Sequence, residues 1–199
     1  MLVAAVTLPR AILLKPGHIE RDGEGNILDA RSSVTLILAQ SKKIVVDTGI
    51  EGEAEMVLGR LAGLCLSPEE VDMVINTHDH PDHCGNNDLF TRARILSGKG
   101  EGQLKEGDVV APRVWIMETP GHTLDSISIV CESARRIVVT GDALPLMGNY
   151  LKWVPPRLHV DRDQAMKSMA RIVEVADLVV PGHDSPFLVR ERTRATDLD

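Results

Sequence analysis

The sequence predicts an α/β protein, because short apolar strands alternate along the chain with amphipathic helical stretches. Clusters rich in His and Asp follow directly after several of those strands. Sites in α/β proteins are usually built in the loops after strand ends, so this placement also favours a function. At 199 residues the chain suits one domain, which we expect to span residues 1–199.

Predicted strands dominate the first part of the chain. The stretch RDGEGN at 21–26 indicates a hairpin turn between a strand near 3–15 and another resuming at 27. VTLILA (34–39) and KKIVVD (42–47) are apolar and rich in β-branched residues. They predict two paired strands joined by a tight turn.

Helical spacing appears next. EAEMVLGRLAGL at 53–64 carries apolar residues at the spacing of one helical face, namely Met56, Val57, Leu61 and Leu64. SPEE at 67–70 predicts a short helical turn, with Ser67 as its N-cap and a capping box. VDMVINT at 71–77 follows as a buried strand and leads into a dense histidine cluster.

The second half repeats this pattern. We predict a helix over 161–176, begun by an Asp161 cap, and a tail that is polar after about one helical turn. Short strands are predicted at 94–97, 114–117, 126–130, 136–140 and 177–180.

Composition restricts the partners. The chain has 29 acidic and 22 basic residues and a net charge of −7, which disfavours nucleic acid and anionic membranes. No apolar run reaches the roughly 18 residues of a membrane span, and the start lacks the features of a signal peptide. Three cysteines without paired spacing suit a reducing compartment, so we expect a cytoplasmic protein.

The stretch NTHDHPDHCGN at 76–86 holds His78, His80, Asp82 and His83. Imidazole and carboxylate are ligands that suit Zn²⁺ and also iron or manganese. His78 and His80 are two residues apart and point the same way in extended backbone, so they can share one ion. Asp82 and His83 are placed to serve a second ion.

Both ions need further ligands, and three downstream strands supply candidates. His122 follows VWIM, Asp142 follows RIVVT, and His183 follows DLVV. Together with the cluster they predict one convergent site. We interpret the two remaining histidines, His18 and His159, as surface or packing residues.

The order H-x-H-x-D-H, then His, Asp and His, resembles the metallo-β-lactamase superfamily of hydrolases, and Asp47-Thr48-Gly49 is similar to an element of that family. The resemblance implies a four-layer αββα sandwich. It also implies two groups of metal ligands: His78, His80 and His122 for one ion, and Asp82, His83 and His183 for the other. Asp142 would bridge the two, and Asp47 would orient a ligand imidazole. An Asp at the bridging position, in place of a Cys ligand, resembles the general hydrolases more than the antibiotic-degrading members.

The resemblance implies two divalent ions, with zinc the first choice and iron or manganese the alternatives. A bridging hydroxide would cleave an ester, thioester, lactone or phosphodiester bond of a small-molecule substrate. Asp82 would orient the nucleophile and relay its proton. The short interval between ligands implies a member with a minimal domain, and a homodimer is compatible with the sequence.

Three other functions stay open. The run T-H-x-H-x-D-H-x-G-N-x-x-L-F at 77–90 is similar to metallo-β-lactamase-domain-containing proteins, some of which are ribonucleases. A persulfide dioxygenase would place one iron on His78, His122 and Asp142, and a metal-binding module would have no turnover. The stretch 143–153 is expected to overhang the metals. Within it Tyr150, Lys152 and Trp153 could contact substrate or simply cover the sandwich.

Overall fold

A computed structural model of the protein describes residues 7–40 and 42–189. Within these residues the strands are Arg10–Lys15 (β1), His18–Arg21 (β2), Ile27–Arg31 (β3), Val34–Ala39 (β4), Lys42–Val46 (β5), Met73–Ile75 (β6), Arg94–Leu96 (β7), Val109–Ala111 (β8), Val114–Glu118 (β9), Ile127–Glu132 (β10), Arg136–Gly141 (β11), Leu178–Pro181 (β12) and Phe187–Leu188 (β13). The helices are Ala54–Ala62 (α1), Pro81–Cys84 (α2), Met147–Lys152 (α3) and Arg162–Val175 (α4), with 3₁₀ turns at Pro68–Glu70 and Asn87–Leu89.

The strands form two sheets and one separate hairpin. The first sheet has the order β1-β4-β5-β6-β7, the second β13-β12-β11-β10-β9-β8, and β2 pairs with β3 alone. Strand β6 is parallel to β5 and β7, and β11 is parallel to β12. Parallel neighbours end at the same edge of a sheet, so residues that follow these strands are brought together.

The two sheets pack face to face with a helix outside each, which is the predicted αββα sandwich. Ile37 and Ile44 of the first sheet pack with Ile116 and Ile129 of the second in one buried cluster. The outer face of the first sheet packs against Val57 and Leu61 of α1. Met169 and Ile172 of α4 pack against the outer face of the second sheet. The fold-class prediction is therefore confirmed.

Burial on both faces explains why the central strands have almost continuous apolar sequences. On β4, Ile37 contributes to the cluster between the sheets, whereas Leu36 contributes to the cluster under α1. Successive strand residues point to opposite faces, so a strand covered on both sides needs apolar residues at nearly every position. VTLILA meets that need at every position except Thr35, which is buried.

Several predicted elements are confirmed. Strands β4 and β5 are antiparallel neighbours, and helix α4 begins after Asp161, whose carboxylate accepts the backbone N–H of Gln164 at 2.9 Å. The capping contact at Ser67 is also present, since its backbone N–H donates to the Glu70 carboxylate at 2.9 Å.

The predicted hairpin was wrong in its first strand. The turn at 21–26 joins β2 to β3, whereas β1 pairs with β4 in the first sheet. Pro16 and Gly17 separate β1 from β2, and Gly17 lies against the backbone of Gly182 where no Cβ would fit. The sequence HIER of β2 has a single apolar residue, so it carried no periodic signal. Residues 1–6, the start of the predicted first strand, lie outside the described residues.

The predicted apolar face of α1 was only half right. Val57 and Leu61 are fully buried, but Met56 and Leu64 are 49% and 40% exposed.

Strands β8 and β13 and helices α2 and α3 were not predicted, since each is too short for a periodic signal. The strand predicted over 71–77 is confined to β6. The polar tail after 189 lies outside the described residues. No helix in the described part of the chain has the length and apolar character needed to cross a bilayer.

Replacing Leu61 by alanine should lower the free energy of unfolding by about 2–5 kcal/mol, because it leaves a cavity between α1 and the first sheet. The matched change Leu64→Ala removes the same atoms from an exposed side chain and should cost no more than about 0.5 kcal/mol. Denaturant unfolding of both variants measures the difference. Equal losses would contradict this assignment of the buried face.

Candidate metal centre

Loops from both sheets bring the predicted ligands together at one end of the sandwich. His78 follows β6 on the first sheet, while Asp142 directly follows β11 and His183 lies two residues after β12 on the second. Backbone hydrogen bonds hold the loops together there, for example from the Gly182 N–H to the Gly141 carbonyl at 3.0 Å. A Cβ on Gly182 would collide with the Asp142 carboxylate, so glycine allows this close approach.

His78, His80 and His122 form one group of converging ring nitrogens. His80 Nδ1 lies 3.0 Å from His78 Nε2 and 3.1 Å from His122 Nε2. His78 and His122 are buried and His80 is exposed, so the group lies at the boundary between the protein interior and solvent. We refer to these residues as the first ligand group.

Asp82, His83 and His183 form a second group. Asp82 Oδ2 lies 3.4 Å from His183 Nε2 and 3.8 Å from His83 Nε2. Asp82 and His83 belong to α2, which starts at Pro81, while His183 comes from the loop after β12. We refer to these residues as the second ligand group.

Asp142 lies between the two groups. Its Oδ2 is 3.4 Å from His122 Nε2 in the first ligand group. Its Oδ1 is 3.1 Å from His183 Nε2 and 3.5 Å from His83 Nε2 in the second. Each oxygen of one carboxylate therefore faces a different group.

The residues fit divalent metal ions. His83 Nε2 and Asp142 Oδ1 are buried and have no hydrogen-bond partner within the described protein. A buried polar atom without a partner is costly, and a coordinated cation would satisfy both atoms. Tetrahedral zinc with bonds of about 2.0–2.1 Å would place its ligand atoms about 3.3–3.4 Å apart, close to the distances found here.

Hydrogen bonds to the opposite ring nitrogens orient three of the imidazoles. His83 Nδ1 lies 2.8 Å from Asp47 Oδ2, His122 Nδ1 lies 2.7 Å from the Leu158 carbonyl, and His183 Nδ1 lies 3.1 Å from the Arg31 carbonyl. Because each Nδ1 faces an acceptor, it carries the proton and leaves the Nε2 lone pair directed into the site.

Asp47 is held in place by the strand end beside it. Its backbone has a φ of 55°, and its side chain is 1% exposed. The two carboxylate oxygens accept from the Thr77 N–H at 2.7 Å and from the Thr77 hydroxyl at 2.9 Å. The structure thus places Asp47 where the sequence predicted an orienting acceptor, against the ring of His83.

Electrostatics divide the histidines into two classes. Burial lowers the pKa of His78, and burial together with nearby His122 lowers the pKa of His80. Burial also opposes the charged form of His83, but the Asp47 and Asp142 carboxylates outweigh it and raise the pKa of His83. The Asp142 carboxylate likewise outweighs burial at His183 and raises the pKa of that ring.

The same interactions act on Asp142. Burial favours its neutral form, but His183 and His83 outweigh burial and hold the pKa of Asp142 well below its usual range. The carboxylate therefore stays ionised at neutral pH and is ready to accept cations.

A cavity of about 270 Å³ opens onto the ligands. His80, Asp82, His122, Asp142 and His183 form its floor. The β2–β3 hairpin contributes Ile19, Arg21, Ile27 and Ala30 to the lining, and the segment 145–158 contributes Pro145, Leu146, Asn149, Val154, Pro155, Pro156, Arg157 and Leu158. Its volume suits a small molecule.

The stretch expected to overhang the site does so only in part. Pro145, Leu146 and Asn149 line the cavity, but Tyr150, Lys152 and Trp153 are not among the residues that line it. Tyr150 stacks on Phe187, with ring centroids 5.5 Å apart, on the outer face of the second sheet. This placement favours the covering role over substrate contact.

Neighbours of the ligands have other partners. Asp79 pairs with Lys99 at 3.1 Å, and Asp184 accepts the Met147 N–H at 3.2 Å. The Cys84 thiol donates to the His80 carbonyl at 3.3 Å and belongs to none of the possible ligand groups. The exposed His18, on β2, also lies outside those groups.

Sequence reasoning missed the hairpin and the segment 154–158 as parts of the cavity lining, and it missed two orienting acceptors. The Leu158 and Arg31 carbonyls are backbone atoms, so residue type gives no signal for them. Arg21 and Arg157 line the cavity from a hairpin and a loop that lack any motif. Only the three-dimensional arrangement identifies these residues.

Comparisons with known proteins identify the family of this chain. The model of the metallo-β-lactamase superfamily matches residues 29–102. A probable metallo-hydrolase of Methanocaldococcus jannaschii is 37% identical over 146 residues, which cover 71% of this chain and 70% of that protein. Human metallo-β-lactamase domain-containing protein 1 is 32% identical over 222 residues, with 89% of this chain and 81% of that protein covered.

A solved structure has the same fold. It is an N-acyl homoserine lactone hydrolase with the product N-hexanoyl-L-homoserine bound at its catalytic metal centre. The TM-score is 0.68 at 21% identity, covering 85% of this chain and 88% of that chain. Sequence relatives, fold and the placement of the His and Asp residues lead to one conclusion. The chain belongs to the metallo-β-lactamase superfamily.

Proposed function

We propose that the protein is a hydrolase that works with two divalent metal ions, one in each ligand group. The observation that carries this proposal is the position of Asp142, whose two oxygens face different groups at 3.1–3.5 Å. A carboxylate so placed can bridge two ions. Zinc suits the imidazole and carboxylate ligands best, with iron and manganese as alternatives.

Two ions at this site would activate a water molecule and polarise the carbonyl or phosphoryl oxygen under attack. The chain itself holds the ligands rigidly, since three of its histidines are fixed by hydrogen bonds on their outer nitrogens. These residues therefore supply a pre-organised site for hydrolysis.

Asp82 is the residue we assign to proton transfer. Its side chain is 19% exposed and lines the cavity floor, so it can contact both the attacking water and the substrate. In the reaction the water oxygen bonds to the carbonyl carbon or phosphorus, and the bond to the leaving oxygen or sulfur breaks. Asp82 accepts the proton from the water and delivers it to the leaving atom.

The bond cleaved is an ester, thioester, lactone or phosphodiester of a small molecule. The cavity of about 270 Å³ supports this size of substrate. The similar fold of a lactone hydrolase that binds its product at a metal centre supports the carbonyl compounds among them. A nucleic-acid substrate is less well supported, because strand binding requires a basic groove and the chain is acidic.

The second ligand group favours this function over a mononuclear dioxygenase. One iron on His78, His122 and Asp142 would leave His83 Nε2 buried without a partner. Such an atom costs about 1–3 kcal/mol, which a second ion would recover. A module without turnover is disfavoured by the open cavity, because structural metal sites are closed by four protein ligands.

We place the reaction in the cytoplasm. Cys65, Cys84 and Cys131 are all free thiols, as expected in a reducing compartment. The homodimer stays a prediction from the sequence.

Removal of His122 tests the metal-dependent hydrolase. In His122→Ala the first ligand group keeps two of its three nitrogens, so the metal content should fall from two ions toward one per chain. Turnover of whichever ester, thioester, lactone or phosphodiester the wild-type protein hydrolyses should fall at least about 10-fold. Metal analysis and assays with and without chelator measure both. The control His18→Ala, an exposed histidine on β2, should keep two ions per chain and full turnover. Turnover that resists both chelator and the His122 change would overturn the proposal.

The two ions should also respond differently to pH. The raised pKa values of His83 and His183 mean that a metal must displace protons from the second ligand group, and this competition grows as the pH falls. The lowered pKa values of His78 and His80 keep these two members of the first ligand group neutral over the same range. Zinc titrations from pH 8 down to about pH 6 should therefore lose the second equivalent before the first.

Calorimetric titrations in buffers of different ionisation enthalpy count the protons released. We expect more protons for the second equivalent than for the first. Loss of both equivalents together, with equal proton release, would contradict the different protonation of the two groups.

A further inference from the structure

Two arginines from separate segments of the chain line the cavity. Arg21 is the last residue of β2 and is half-buried, and Arg157 lies in the exposed segment after α3. Neither belongs to the ligand groups. Both side chains reach the same part of the hairpin turn between β2 and β3.

The two guanidinium groups meet at Gly25. Arg21 Nη1 donates to the Gly25 carbonyl at 3.1 Å. The Arg157 guanidinium occupies the position that a Cβ on Gly25 would need, and its Nη2 donates to the Glu24 carbonyl at 3.5 Å. Gly25 has a φ of +86°, so glycine is suited both to the turn and to this contact. Both guanidinium groups therefore contact the same hairpin turn.

No carboxylate compensates them. Within residues 7–40 and 42–189, no Asp or Glu oxygen lies within 4.0 Å of a nitrogen of either arginine. The nearby Asp22 is occupied by Asn26 and by the Glu24 N–H. By contrast, Arg31 on the same hairpin pairs with Asp29 at 2.7 Å. The chain has seven more acidic than basic residues, so carboxylate partners are plentiful. Two arginines at a cavity without such a partner are therefore available to bind an anionic ligand.

The walls between the arginines and the ligands are mostly apolar. Ile19 and Ile27 contribute from the hairpin, and Leu146 and Val154 contribute from the opposite segment. A ligand that fills this cavity would therefore meet cations at the ligand floor, apolar contacts along the walls and guanidinium groups at the hairpin turn.

We propose that the substrate carries an anionic group, a carboxylate or a phosphate, which Arg21 and Arg157 bind while the scissile bond lies at the ligand floor. The proposal rests on the hydrolase function and specifies its substrate class. Guanidinium groups bind both anions through paired, charge-assisted hydrogen bonds, and neither arginine has a carboxylate partner among the described residues that would compete with such an anion. An apolar segment separates the anion from the bond that is cleaved.

A matched series of acyl esters tests this assignment. Three esters share one leaving group and one chain length and differ at the far end, which is a methyl group, a carboxylate or a phosphate. Wild-type protein should hydrolyse at least one anionic ester with kcat/KM about tenfold or more above that of the neutral ester. The better anion identifies which source of charge the pair recognises. An equal or higher value for the neutral ester would overturn the proposal.

Variants connect that preference to the arginines. Arg21→Met with Arg157→Met should lower the ratio of kcat/KM for the preferred anionic ester to kcat/KM for the neutral ester about 10–100-fold. Arg21→Lys keeps the charge and should lose less. Arg162→Met is the control, since this exposed arginine already pairs with Asp163 and does not line the cavity. An unchanged anion preference in the double variant would contradict the assignment.

A binding measurement separates this inference from the hydrolase function. Glutarate, a phosphonate of the same length and the neutral diamide of glutarate are titrated into zinc-loaded protein by calorimetry. One anion should bind wild type more tightly than the double variant, while the diamide shows no difference. If no ester were hydrolysed, the hydrolase proposal would fail, yet this difference would still support the anion site. Equal binding of both anions to wild type and variant would overturn it.

Discussion

The site depends on one carboxylate shared among imidazoles from both sheets. Asp142 lies 3.1–3.5 Å from Nε2 atoms of His83, His122 and His183, and its Oδ1 is buried without a hydrogen-bond partner. Buried charges of this kind are stable only when they are compensated. The neighbouring histidines compensate the carboxylate in part, and divalent cations would complete the compensation.

The sandwich makes this arrangement possible. Its two sheets present the ends of β6, β11 and β12 at one edge, and the apolar residues between the sheets fix their separation. Small residues then let the loops approach, as at Gly182 beside Asp142. A rigid core and close backbone contacts place the ligand atoms with little freedom, as catalysis requires.

The fold class and most of the central strands could be predicted from the sequence, because strands that are buried on both faces have almost continuous apolar sequences. Sequence reasoning also singled out the seven His and Asp residues that the structure brings together, because each follows an apolar strand or belongs to the His cluster. It misplaced the first strand of the hairpin, since β2 contains one apolar residue and gives no pattern. It could not foresee the Leu158 carbonyl or the convergence of Arg21 and Arg157, which depend on contacts between distant segments.

The hairpin and the loop after α3 together explain how one site could acquire a substrate preference without changing its ligands. Both segments line the cavity but lie outside the two packed sheets. Residues there can change with little effect on the core, which is where variation in specificity is expected.

Anomalous X-ray diffraction from crystals of the zinc-loaded protein locates the ions relative to Asp142. If Asp142 is shared between two ions, two anomalous peaks will appear, one on each side of Asp142, each about 2.0–2.2 Å from a different oxygen of that carboxylate. A single peak, or two peaks that both lie away from Asp142, would contradict the shared carboxylate.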